Sequence, residues 1–199
     1  MILEINILIQ LIVLFLVIFD PLASLTVFVS TTKDKSHIDR HKIALLSVFV
    51  AGSISFFVLL FGESLLEIFS TTIQDFKIAG GIILVILGIN MTLGKSITSE
   101  DKMNGSSAPA IASIIGTPVL AGPASITTII ITSHDYSTFL TGLAIAIVLV
   151  VTGLLFWYAH KIHALLGNTG EKVMSSILGL VTIAWGVKFI REIIPLLLA

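Results

Sequence analysis

Ile18-Phe19-Asp20-Pro21-Leu22-Ala23-Ser24-Leu25-Thr26-Val27-Phe28 interrupts an apolar run long enough to cross a bilayer. Val119-Leu120-Ala121-Gly122-Pro123-Ala124-Ser125-Ile126-Thr127-Thr128-Ile129-Ile130 interrupts another at the matching point of the second half. Proline has no N–H and its ring collides with the preceding turn, so each helix is expected to stop just before the proline and restart there. A broken hydrophobic helix that occurs twice, at corresponding places, points to the binding site of a transporter.

The composition agrees with a bilayer as solvent. Of 199 residues, 56% are hydrophobic and 12% charged, and the mean hydropathy is +1.10. A soluble domain carries about 25% charged residues. The net charge of −1 offers no basic surface for nucleic acid, and the absence of cysteine excludes disulfides and thiolate metal sites. The start, Met1-Ile2-Leu3-Glu4, has no basic residue, and no small-residue cleavage site precedes Asp20. The first apolar run therefore reads as a retained span rather than a signal peptide.

Six segments meet the length of about 20 apolar residues that a crossing needs. They are 5–29, 43–61, 76–93, 108–132, 139–159 and 173–194. The expected fold is thus an all-α membrane protein, a single transmembrane domain over 1–199. The first, third and fifth loops hold Lys33, Lys35, Arg40, Lys42, Lys95, Lys102, Lys161 and Lys172, against Lys77, Lys188 and Arg191 on the other side. That bias puts the odd loops in the cytoplasm and both termini outside.

Three spans per half invert the second half relative to the first, giving repeats of about 1–94 and 108–199. The spacing Gly81/Gly88 recurs as Gly179/Gly186, and Pro21 to Gly81 is 60 residues where Pro123 to Gly179 is 56. These glycines read as points of close helix approach.

At the first break, Asp20 before Pro21 is an N-cap followed by the favoured first helical residue. It is also the only carboxylate read as lying deep in a span, and intramembrane ionisable groups are functional-site hypotheses by default. The two roles are compatible, since one oxygen can cap while the other meets an ammonium, a proton or a cation. In the second half Thr117-Pro118 and Gly122-Pro123 bracket Val119-Leu120-Ala121, which reads as a non-helical stretch that is either buried or lines a cavity. The hydroxyls of Ser24, Thr26, Ser125, Thr127 and Thr128 either meet substrate or bond backbone. Asn90, late in the third span, faces the site or a neighbouring helix. His160 and His163 read as part of a solvated helix end, with Lys188 snorkelling beside Arg191 and Glu192.

At these motifs the chain resembles the MarC family of six-span membrane proteins, which includes small neutral amino-acid transporters. The family pattern similar to Asp-Pro-x-Gly-x-x-Pro-x-Phe appears from Asp20 to Phe28, with Ala23 for glycine and Thr26 for the second proline. A pattern similar to Pro-Leu-Leu-Ala-Gly-Pro-Gly-Ala-Ile-Thr appears from Pro118 to Thr127, with Ala124 for glycine. The block Phe76-Lys77-Ile78-Ala79-Gly80-Gly81 also looks like the family's third span. The resemblance implies an inner-membrane transporter with Asp20, Pro21, Gly122 and Pro123 at its site.

The expected function is secondary transport of small neutral amino acids of the glycine and alanine class, without a bound cofactor. Coupling to H+ or Na+ is expected, because no phosphate-binding loop is present. The alternatives are export of other small metabolites or a passive channel. An enzyme is not expected, since a single deep carboxylate and peripheral histidines do not assemble a catalytic set. Expected partners are the substrate and the lipid bilayer, with room for a homo-oligomer.

Overall fold

The computed structural model describes residues 2–94 and 107–197; Met1, Lys95 and Lys102, which entered the reading of the termini and loop charges, lie outside them. Among the described residues the chain is helical throughout, with no strand. The elements are α1 (Ile2–Phe19), α2 (Pro21–Thr32), α3 (His37–Ile68), α4 (Ile73–Thr92) and α5 (Ala108–Ile114). A π-helical segment (Ile115–Leu120) follows, then α6 (Pro123–Asp135), α7 (Thr138–Trp157) and α8 (Ala159–Leu197).

Local chemistry sets the boundaries. Ser36 caps α3 by accepting from Asp39 N (3.2 Å), and Ser137 caps α7 by accepting from Leu140 N (3.1 Å). Thr72 and Asp75 form a reciprocal capping box at the start of α4. Gly94 ends α4 at φ +66°, and Gly167 breaks α8 at φ +63°, both left-handed conformations that an L side chain resists.

Five stretches are long and apolar enough to cross a membrane: Glu4–Thr32, His37–Ile68, Ile73–Thr92, Thr138–Trp157 and Thr169–Pro195. The segment expected as a fourth crossing, 108–132, is divided instead among α5, the π-helical segment and α6, so no single helix there has the length. Large apolar side chains such as Phe49, Leu60, Val150 and Leu180 are exposed on the outside of the bundle. Together with the five spans they make lipid the solvent of this surface.

The interior is built on Phe15, Phe19, Phe28 and Phe156, all buried, with Phe28 and Phe156 stacked at 4.9 Å between centroids. The closest seam joins α4 to α8. A Cβ added to Gly81 would lie 2.7 Å from Gly186 O, and one on Gly88 would lie 2.5 Å from Gly179 O. The pairing of 81 with 186 and 88 with 179 makes the two helices antiparallel. Backbones this close are possible only because those four residues lack side chains.

Arg40 of the first loop and Lys161 of the fifth line one cavity, beside which His41 stacks on Trp157 at 3.9 Å. Lys77 of α4, Asp135 of α6 and Glu192 of α8 meet at another place, with Lys77 Nζ 2.7 Å from Asp135 and 3.2 Å from Glu192. Lys188 lies beside Glu192, its Nζ 3.8 Å from Glu192 Oε1. Its Nζ lies 3.3 Å from Tyr136 Oη and 4.3 Å from the Trp185 ring centroid.

Candidate functional site

The chain breaks where the prolines require it. α1 ends at Phe19, Asp20 adopts φ 37° and ψ 66°, and α2 begins at Pro21. A left-handed backbone at a non-glycine residue costs roughly 1–2 kcal/mol, and aspartate tolerates it because its short side chain bonds locally. Asp20 Oδ1 accepts from Ala23 N (3.2 Å) and Oδ2 accepts from Ser175 Oγ of α8 (2.7 Å). Asp20 is only 8% exposed, and among the described residues no basic side chain pairs with it. A carboxylate has about four acceptor sites, so these two donors leave it capacity for a proton, an ammonium or a cation.

The second break is built differently. Residues 115–120 are π-helical rather than non-helical as expected, and Ala121 N donates to Gly116 O (3.2 Å), five residues back. Pro118 cannot donate within this stretch, and the wider turn is how the ladder continues past it. Only Ala121 and Gly122 leave the helix. Gly122 is extended (φ −80°, ψ −178°) and offers no side-chain cap to α6, which starts at Pro123. The acid thus occupies the left-handed backbone position, and the glycine occupies an ordinary one. α2 packs against the π-helical segment and α1 against α6, which brings the two breaks into the same part of the bundle.

Most of the expected hydroxyls are engaged with backbone. Ser24 Oγ donates to Asp20 O (3.0 Å), and Ser125 Oγ donates to Leu120 O (2.8 Å), so each serves a carbonyl at its own break. Thr127 donates to Pro123 O and Thr128 to Ala124 O, both at 2.8 Å. Ala23 is half-buried and Ala124 buried beside the breaks, while Pro123 and Thr117 are exposed. Pro21 is buried and Gly122 half-buried. Asn90 is half-buried in the part of α4 where Ser176 Oγ reaches Met91 O and Thr92 O, both at 3.3 Å.

Three residues that the sequence reading did not place here complete a polar seam between α2 and α8. Thr26 donates its hydroxyl to Glu171 Oε2, and Glu171 Oε1 lies 3.0 Å from His163 Nδ1. Glu171 is 2% exposed, a second buried carboxylate beside Asp20, and lies near the start of the candidate span Thr169–Pro195. Glu171 and Ser175 are four residues apart on α8 and share one face of it. Glu171 falls outside the apolar segment 173–194. Only the break at Gly167, which lets a new helix start before it, carries it inside. His160 and His163 lie half-buried in the first turns of α8, and among the described residues no cluster suited to a metal ion forms.

A family model described as "MarC family integral membrane protein" matches residues 5–197. The chain is 30% identical over 184 residues to a UPF0056 membrane protein of Buchnera aphidicola from Acyrthosiphon pisum, covering 86% of this chain and 84% of the relative. It is 32% identical over 182 residues to the UPF0056 membrane protein YhcE of Escherichia coli K12, with 86% and 84% covered. It is 27% identical over 173 residues to the UPF0056 inner membrane protein YhgN of the same organism, with 86% and 87% covered. No solved structure matches the chain.

Proposed function

The chain belongs to the MarC family of integral membrane proteins, and on that premise we propose that it is a secondary transporter of small neutral amino acids across the cytoplasmic membrane. The observation that carries this reading is the buried Asp20 carboxylate, held at a helix break inside the first candidate span by Ser175 and Ala23 N. An ionisable group is costly at such depth and is retained where it meets a substrate or a coupling ion.

The two breaks would divide the work. The start of α6 has no side-chain cap, so its free N–H groups suit the substrate carboxylate. Asp20 would take the substrate ammonium or a coupling H+ or Na+.

The seam between α4 and α8 supports inverted repeats. The correspondence of Gly81 with Gly179 and Gly88 with Gly186 exchanges the two contacting pairs, as a two-fold axis in the membrane plane would. With α5, the π-helical segment and α6 together as the fourth crossing, the chain has six spans. The basic loops then face the cytoplasm and both termini lie outside.

The test is glycine uptake into proteoliposomes under an imposed proton or sodium gradient. Asp20→Asn is expected to abolish gradient-driven accumulation while leaving the protein folded. Unchanged accumulation by the variant would remove Asp20 from the mechanism. Large unitary currents in planar bilayers would favour a channel instead.

A further inference from the structure

We propose that the end of the bundle where α2, α3, α7 and α8 meet binds the headgroup of an anionic phospholipid. A cavity of about 250 Å³ opens there. It lies among the ends of three candidate spans, those closing at Thr32 and Trp157 and the one beginning at His37. Its floor is apolar, made by the stacked rings of Phe28 and Phe156. Trp157 and Tyr158 stand at its side, the residue types that settle at headgroup depth.

The charge lining this cavity has one sign. Arg40 and Lys161 line it together with three histidines, and no carboxylate does. Arg40 is held in place by donating from Nε to Thr32 O (3.0 Å) and from Nη2 to Lys33 O (2.7 Å). Those bonds use two of its five N–H donors. Among the described residues no salt bridge compensates Arg40 or Lys161. His160 Nε2 is buried without a hydrogen-bond partner. Burial, followed by the nearby charges of Arg40, His37 and His163, holds His160 below the ordinary histidine range. An anion in the cavity would relieve that crowding of positive charge.

An aromatic floor beneath a cationic rim suits an amphiphile better than a free inorganic anion. A phosphodiester would meet Arg40 and Lys161 while its glycerol and first methylenes lie on Phe28 and Phe156. Basic pockets between membrane helices recognise anionic headgroups in this way.

The experiment is native mass spectrometry of the full chain in detergent, titrated with phosphatidylglycerol or phosphatidylcholine. Phosphatidylglycerol is expected to be retained preferentially, and Lys161→Gln to weaken it roughly fivefold, the worth of one basic residue near anionic lipid. Lys172→Gln, an exposed lysine outside the cavity, is the control and should change nothing. Equal retention of the two lipids, or equal loss in both variants, overturns the proposal. Inorganic phosphate that raises the melting temperature as far as phosphatidylglycerol does would assign the cavity to free phosphate and overturn the lipid reading.

Discussion

Gly88→Ala tests the shortest approach to a neighbouring backbone that any described glycine makes. The new Cβ would lie 2.5 Å from Gly179 O, 2.7 Å from Ile183 Cγ1 and 2.9 Å from Ile183 N, where ordinary contact begins at 3.4 Å. Two of these atoms are backbone, so no side chain can swing away and α4 must part from α8 by about 0.9 Å (3.4 − 2.5). A radial gap of that order forfeits roughly a quarter to a half of the dispersion energy along the seam. Overpacking of this kind costs about 1–3 kcal/mol. Alanine's better helix propensity returns about 1 kcal/mol. The net is a loss of about 0–2 kcal/mol. Gly153→Ala is the matched control, because its Cβ would meet only Val48 Cγ2 at 3.7 Å, an ordinary contact. There propensity acts alone, and the protein should gain about 0.5–1 kcal/mol. Thermal unfolding in detergent, followed by tryptophan fluorescence, should rise for Gly153→Ala and not for Gly88→Ala. If Gly88→Ala melts above the wild-type temperature, the close backbone approach of α4 and α8 is wrong.

Two further outcomes follow from the polar groups. Thr26→Val deprives the buried Glu171 carboxylate of its hydroxyl donor and should cost about 1–3 kcal/mol. Combined with Glu171→Leu it should cost less than the two single changes added together, and strict additivity in that thermal cycle would dissolve the pair. His160 is held below its ordinary value of 6.5, so the unfolded chain binds its proton first as the pH falls. Its contribution to stability is therefore full above pH 6.5 and declines below it. Melting curves between pH 7.5 and 5.5 should fall less steeply for His160→Gln than for the wild type; an unchanged slope would exclude that origin.

What could be read without coordinates was whatever depends on chemistry local to the chain. Pro21 and Pro123 end helices because they lack an N–H, and they do so wherever they sit. Asp20 before Pro21 is a cap by its atoms alone. The apolar runs declare lipid as their solvent, and the family pattern follows from the same residues in order. The recurring glycines marked a seam, but only packing showed which glycine meets which carbonyl.

The remainder depended on distance across the fold. Nothing in residues 115–122 distinguishes a π-helical turn from a loop until the ladder is seen continuing past Pro118. Ser175 and Glu171 lie 155 and 145 residues from the partners they meet, Asp20 and Thr26. Spacing along one helix cannot reveal such pairs. Glu171 falls outside the apolar segment 173–194, and only packing after the break at Gly167 shows that it is buried. The sequence by itself determined that the chain lives in a bilayer and that its first span breaks at an acid. Tertiary structure alone decided that this acid is one end of a buried polar seam, because burial of a charge is a property of the neighbours that surround it.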